Sequence, residues 1–244
     1  MVLAQSTDTM KISVWRGDST GGAYVPYEVP RQESQTVLDV VTWIQRHREP
    51  RLTYRFACRV GMCGSCAMMV NGKPRWTCRT HVQKVLDQDR IEIAPLRNLP
   101  IIKDLVTDMT AFFDKWVKAE GRFHPTATRE DAIAPVLPAS PQRQAASAGI
   151  ECINCAVCYA ACDVVEKNRD YLGPAALNRA WTLINDERDG GREVRLKAVA
   201  GDAGCHNCHS QQGCMTHCPN ELNPTLSIAG LKRVTALAAL KGEI

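Results

Sequence analysis

Twelve cysteines stand in this chain of 244 residues, and they fall into three groups. The first is Cys58, Cys63, Cys66 and Cys78; the second is Cys152, Cys155, Cys158 and Cys162; the third is Cys205, Cys208, Cys214 and Cys218, with Pro219 next. A thiolate is a soft, charged ligand suited to zinc and to iron–sulfur clusters. Several of them converging from one short loop can hold a compact metal centre, so the spacing decides which centre. The first group reads C-x4-C-x2-C followed by a later cysteine, the spacing of a plant-type 2Fe-2S site, and the second reads C-x2-C-x2-C-x3-C, the run of bacterial 4Fe-4S proteins. Zinc ribbons use paired C-x2-C knuckles, which the first group lacks. One chain holding both iron–sulfur patterns is most simply a conductor of single electrons.

In the bacterial run the first three cysteines hold one cluster and the fourth ligates another. Cys152, Cys155 and Cys158 therefore need a distant partner, and Cys218, followed by Pro219, fits a 4Fe-4S site with them. Cys162 then belongs with Cys208 and Cys214. A full run would place a cysteine at 211, where the chain has Gln211. Three thiolates without a fourth fit a 3Fe-4S cluster, which we expect here; a 4Fe-4S cluster with an unusual ligand is the alternative. Cys205 is left over, as a spare buried thiol or as a replacement for Cys208. Residues 205–209 also read C-H-N-C-H, the attachment signature of c-type haem, but that chemistry needs export and would remove Cys208 from its cluster.

The surrounding elements must bring these thiols together. Residues 11–16 and 24–29 read as two strands about a Gly21-Gly22 turn. Thr36 caps an expected helix over Val37–His47, with Val37, Val40, Val41 and Ile44 at helical spacing. Asn71-Gly72 marks a hairpin between the third and fourth cysteines, and residues 90–96 read as a closing strand. Small residues Gly61, Gly64 and Ser65 let backbone N–H groups approach the cluster sulfurs. Residues 101–119 read as a helix carrying Leu105, Met109, Phe112, Phe113 and Trp116. Residues 121–149 have the composition of a connector. Beyond it, helices are expected at 174–186, opened by Pro174, and at 225–240. Cysteine runs on either side of a helical spacer give the internal symmetry of a two-cluster module.

The net charge of +4 is too small to argue for nucleic acid. The N-terminal MVLAQSTDTMKISVW lacks the apolar core of an export signal, and no apolar run approaches the ~18 residues of a membrane span. Disulfides belong mainly to exported chains, so the thiols are expected to be free for metal. A colourless zinc-binding interaction module is the alternative of another class.

The order of motifs resembles the iron–sulfur subunits of succinate dehydrogenase and fumarate reductase over nearly the whole chain. It is carried by CRVGMCGSCAMMVNGKPRWTC (58–78), APLRNLPIIKDLVTD (94–108), CINCAVCYAAC (152–162), GPAALNRAW (173–181) and CPNELNPTLSI (218–228). The resemblance implies an α+β chain: an N-terminal β-grasp plant-type ferredoxin domain over 1–120, a connector over 121–149 and an all-α bacterial-ferredoxin-like domain over 150–244. It implies electron transfer between FAD on a flavoprotein subunit and a membrane quinone, in the order 2Fe-2S, 4Fe-4S, 3Fe-4S, as part of respiration and the tricarboxylic acid cycle, with no substrate chemistry on this chain itself. It further implies one or more membrane anchor subunits, with or without haem b, and a peripheral position on the cytoplasmic face of the inner membrane. His209 and Lys232 stand where the family places polar groups near the quinone. The chain departs from the family at Asp163, where many members have proline, and over Val164–Lys167, where many have tryptophan. A related complex with another substrate or a non-quinone acceptor is the nearest alternative.

Overall fold

The computed structural model describes residues 8–133 and 135–244; the first seven residues of the N-terminal stretch read for an export signal lie outside them. In chain order the strands are β1 (Thr9–Asp18), β2 (Gly21–Pro30), β3 (Ala67–Val70), β4 (Lys73–Trp76), β5 (Arg90–Ala94), β6 (Ile101–Lys103) and β7 (Val106–Thr107). The helices are α1 (Val37–His47), α2 (Thr110–Lys118), α3 (Pro141–Ile150), α4 (Val157–Ala160), α5 (Asp163–Lys167), α6 (Pro174–Ile184), α7 (Arg192–Ala200), α8 (Gly213–Thr216) and α9 (Pro224–Leu240). The chain divides into two compact units. The first holds the described residues up to Met109 together with Ile153–Ala160; the second holds Thr110–Cys152 and Ala161–Ile244.

The first unit is a mixed five-stranded sheet in the order β2-β1-β5-β3-β4. β1 and β5 run parallel, while β1–β2, β3–β4 and β3–β5 are antiparallel. Met10, Ile12 and Val14 alternate along β1, Ile91 and Ile93 along β5, and all five are buried in one core with Val37, Val40, Val41 and Ile44 of α1. Each such side chain removed from water contributes about 1.5–3 kcal/mol before entropy is charged. Helix α1 starts where expected, because Thr36 and Asp39 form a reciprocal cap: Asp39 N donates to Thr36 Oγ1 at 3.2 Å and Thr36 N donates to Asp39 Oδ2 at 3.0 Å. Asn71 and Gly72 both take positive φ, 48° and 71°, as the tight β3–β4 hairpin requires.

Two expectations from sequence are corrected. The first hairpin turns at Ser19-Thr20, with Gly21 and Gly22 already in β2 opposite Asp18 and Gly17; Asp18 Oδ1 accepts from Thr20 N at 2.8 Å and takes the turn that the glycines were expected to make. The helix expected over 101–119 is a β6–β7 hairpin followed by the shorter α2. Its turn residue Asp104 has φ 51° and is buried. The Asp104 carboxylate accepts from Arg16 Nε (2.9 Å), Gly17 N (3.2 Å) and Thr53 N (2.9 Å). Those long-range partners outweigh a helical spacing of apolar residues.

The second unit is helical. Pairs of α6 with α9, α3 with α6, and α7 with α9 pack together. The connector-like stretch contains α3, capped by Ser140, whose Oγ accepts from Arg143 N at 3.1 Å. The stretch is tied down at its start by Arg195, fully buried on α7. Arg195 Nε donates to Glu120 O (2.9 Å), Nη2 donates to Arg122 O (3.0 Å), and Nη1 pairs with buried Asp189 at 2.8 Å. The helix expected over 174–186 is α6, and that over 225–240 is α9, capped by Asn223. No helix among the described residues is long and apolar enough to cross a membrane.

Candidate metal centres

The first cysteine loop wraps a single sulfur with backbone. Val60 N (3.4 Å), Met62 N (3.2 Å) and Cys63 N (3.4 Å) all donate to Cys58 Sγ. They can do so because Arg59 and Gly61 take φ of 59° and 77°, which turns successive N–H groups inward. Cys66 leads into β3 and Cys78 sits in the short 3-10 turn after β4, so the Asn71-Gly72 hairpin returns the fourth thiol to the third: Cys78 N donates to Cys66 Sγ at 3.5 Å. Leu38, Tyr54 and Trp76 pack around these two buried thiols. Cys63, by contrast, is exposed. Its thiol is pulled down to about 6, chiefly by a hydrogen bond from the Cys58 backbone and then by Ser65, whereas burial, with Cys66 beside it, pushes Cys78 up to about 12.

The second run places Cys155 and Cys158 with the sheet unit, and Cys152 and Cys162 with the helical one. Asn154 and Ala156 between the thiols again take positive φ, 56° and 60°. Gly64 (φ 71°) passes so close to Cys155 that a Cβ on it would lie 2.8 Å from the Cys155 Cα. Within the helical unit, Asn220 Nδ2 donates to Glu151 O at 2.7 Å, tying the Cys218 loop to the residue before Cys152.

The third group forms a pocket in the helical unit. Cys162, Cys208 and Cys214 line it, with Tyr171, His209, Gln211 and Thr225. Burial pushes both the Cys162 and the Cys214 thiols up. Ser210 N donates to Cys208 Sγ at 3.4 Å, and Thr225 Oγ1 lies 3.4 Å from Cys214 Sγ. Ser210 (φ 56°) and Gln212 (φ 65°) supply the left-handed backbone. The hydroxyl of buried Tyr171 has its pKa pushed well above the usual value, by burial first and then by the Cys208 and Cys162 sulfurs. Cys205 does not line the pocket: it is buried with Sγ 3.6 Å from Thr235 Oγ1. His209 is exposed at the pocket, and Lys232 Nζ donates to Cys208 O at 2.6 Å. Tyr171 and Thr225 escaped sequence reasoning, since neither lies at a spacing set by the cysteines.

These surroundings suit iron–sulfur clusters in donor chemistry. Every group offers thiols, and each loop holds non-glycine residues in the left-handed region, at about 1–2 kcal/mol apiece; in the first and third groups backbone amides face sulfur. Among the described residues no three His, Cys, Asp or Glu converge closely enough to hold a single metal ion; a multi-iron cluster binds its thiolates through different iron atoms and spaces them more widely.

Comparison with known proteins agrees with that class. Residues 10–114 match the 2Fe-2S iron-sulfur cluster binding domain and residues 151–223 match the 4Fe-4S dicluster domain. The chain is 34% identical to the fumarate reductase iron-sulfur subunit of Mycobacterium tuberculosis, over 95% of this chain and 94% of that one. It is 34% identical to the fumarate reductase iron-sulfur subunit of Haemophilus influenzae, over 83% of this chain and 82% of that one. It is 35% identical to the mitochondrial succinate dehydrogenase [ubiquinone] iron-sulfur subunit 1 of Oryza sativa subsp. japonica, over 94% of this chain and 82% of that one. A chain of the Mycobacterium smegmatis Sdh1 complex in the apo form superposes with a TM-score of 0.83 at 27% identity, covering 95% of this chain and 97% of that chain. The protein belongs to the family of succinate dehydrogenase and fumarate reductase iron–sulfur subunits.

Proposed function

We propose that this chain passes electrons one at a time between the FAD of a flavoprotein subunit and a membrane quinone. Three clusters carry them: 2Fe-2S on Cys58, Cys63, Cys66 and Cys78; 4Fe-4S on Cys152, Cys155, Cys158 and Cys218; and 3Fe-4S on Cys162, Cys208 and Cys214. In this reading the first domain is a β-grasp plant-type ferredoxin and the last is an all-α bacterial-ferredoxin-like domain. The observation that carries the proposal is the shared construction of the cysteine loops, in which thiols are interleaved with left-handed residues and, in the first and third groups, backbone N–H groups point at sulfur.

When bound, such clusters accept and release single electrons without a change in the protein's covalent structure. This chain's contribution is to hold the thiolates and to offset the charge that arrives with each electron through N–H donors. Exposed Val60 (59%) and Met62 (70%) flank Cys63 and support a first loop that meets the flavoprotein. His209, exposed at the third pocket, and Lys232, held to the carbonyl of Cys208, support a quinone near that pocket. Membrane attachment then falls to anchor subunits, with or without haem b, on the cytoplasmic face of the inner membrane. A non-quinone acceptor gains some support from Val164, which lines the third pocket in the stretch where the family often has tryptophan.

Electron paramagnetic resonance of the purified complex during redox titration tests the proposal. Three paramagnetic species with separate midpoints are expected. A colourless preparation, or iron sufficient for only one cluster, would overturn it in favour of a zinc module or a simpler ferredoxin.

A further inference from the structure

We infer that Gly213 is the positioning residue of the third thiol set: its missing side chain lets the turn that carries Cys214 close onto the carbonyl before Cys162, and so fixes the separation of those two thiols. The inference rests on the assignment of Cys162, Cys208 and Cys214 to one cluster. Ala161, Cys162, Gly213 and Cys214 all line the third pocket. A Cβ at position 213 would stand 2.6 Å from Ala161 O, 3.6 Å from Ala161 C and 3.7 Å from Ala161 Cβ. The nearest atom is backbone, in the residue joined to Cys162, and the glycine is itself joined to Cys214. Two stretches far apart in the chain thus meet main chain to main chain, one residue before a thiol on each side.

Backbone conformation does not explain the glycine. Gly213 opens α8, and its φ is not positive. Any L-residue takes such a backbone, and glycine is a poor helix former. The left-handed turn is made one residue earlier, by Gln212 at φ 65°. What position 213 requires is space. By contrast, a Cβ on Gly201, just after α7, would meet nothing within 4 Å.

The contact has little slack. Met215 N and Thr216 N both donate to Gln212 O at 3.0 Å, and His217 N donates to Gly213 O at 3.1 Å. On the facing stretch, Glu166 N donates to Cys162 O at 3.3 Å. No side-chain rotation relieves a clash with a carbonyl oxygen, so a Cβ at 213 has to move a whole segment. Ordinary contact begins at 3.4 Å, which requires a displacement of about 0.8 Å. A ligand constellation must be held to about 0.5 Å to keep its geometry. The displacement exceeds that margin and falls on the distance between Cys162 and Cys214; Cys208 precedes Cys214 in the same loop and is displaced with it.

The test compares wild type, Gly213→Ala and Gly201→Ala in the assembled complex. It follows the oxidised-state paramagnetic signal of the third cluster, the signal of the first cluster, and the rate at which a ferrous-iron chelator strips each. We expect Gly213→Ala to weaken retention of the third cluster about 10–100-fold and to broaden its signal, with the first cluster unchanged and Gly201→Ala matching wild type. Adding Ala161→Gly to Gly213→Ala should restore nothing, because the obstructing atom is backbone; restored retention would overturn the inference in favour of side-chain crowding. Wild-type retention in Gly213→Ala alone would also overturn it. If that variant assembles neither cluster, the urea midpoint of its metal-free full chain decides. With no cluster to tie the thiols the loops are free to part, so an unchanged midpoint supports the inference, whereas a lowered one overturns it and makes Gly213 a general packing residue. A wild-type complex with no third signal would overturn the cluster assignment itself, a failure distinct from a normal third cluster that ignores position 213.

Discussion

The cysteine loop at 58–78 and the pocket at Cys162, Cys208 and Cys214 answer the same requirement, thiolates in a compact set, by different means. The first is nearly contiguous in sequence and opens to solvent at Cys63. Its hydrogen-bond donors to sulfur are almost all backbone amides of the loop itself. The second gathers residues from the start of α5, from the loop before α8, and from the chain leading into α6 and α9. Burial pushes the Cys162 and Cys214 thiols up, and Thr225, a residue far along the chain, brings its hydroxyl to 3.4 Å from Cys214 Sγ. The lesson is that a local loop can bring its own solvation, whereas a site closed by tertiary packing must borrow it from distant residues. Since hydrogen bonding and solvent exposure both set cluster potentials, the two sites are expected to respond to different mutations.

Removing a ligand is the largest perturbation. Cys66→Ala should abolish the 2Fe-2S signal and leave the third cluster's signal in place, and Cys214→Ala should do the reverse; loss of both signals in either variant would show that the sites do not assemble separately. Gln211→Cys adds a thiol to the lining of the third pocket. It should convert the 3Fe-4S cluster to 4Fe-4S, removing the oxidised-state paramagnetic signal and lowering the potential, with the first site unaltered. A persistent signal would show that position 211 does not face the cluster.

Smaller effects probe the frames behind the two sites. Arg195→Met leaves Asp189 buried without its partner and frees the carbonyls of Glu120 and Arg122. The cost should be about 3–5 kcal/mol, seen as a lowered urea midpoint and weaker retention of the third cluster. Gly64→Ala should cost about 1–3 kcal/mol, from a left-handed backbone at φ 71° and crowding against Cys155. Its loss should fall on the first two cysteine runs, and an undiminished denaturation midpoint would refute the close approach. The smallest effect concerns Asp186. Hydrogen bonds from Arg188 outweigh burial and hold its carboxyl down at about 2, against an ordinary 3.8. A depressed carboxylate stabilises the fold fully above the unfolded value and loses that contribution as pH falls through the folded one. Asp186→Asn should therefore cost roughly 2 kcal/mol at neutral pH, and urea midpoints of variant and wild type should converge as pH falls from about 4 to about 2.

Much of the framework was readable before the structure. The Thr36 cap, α1, the Asn71-Gly72 hairpin, α6 and α9 follow from local rules, because each is specified by residues within a few positions of one another. Where reading failed, a distant partner intervened. Asp104 bends residues 101–107 into a hairpin because Arg16, Gly17 and Thr53 saturate its carboxylate. Asp18 takes the first turn away from Gly21-Gly22. Arg195 anchors a stretch whose composition suggested only a connector.

By itself, the sequence determined the kind of chemistry: ligand type and spacing along a short loop are local quantities, and they announce iron and sulfide at Cys58–Cys78 and at Cys152–Cys162. It also places Gln211 where a full cysteine run would have a thiol. Only the tertiary structure decided that Cys205 turns toward Thr235, that Lys232 meets the carbonyl of Cys208, and that Tyr171 lines the pocket of Cys162, Cys208 and Cys214. The physical reason is range. Metal-ligand spacing is encoded within a dozen residues, whereas the burial and hydrogen bonds that surround a cluster come from segments far apart in the chain, and no pattern in the sequence states where they meet.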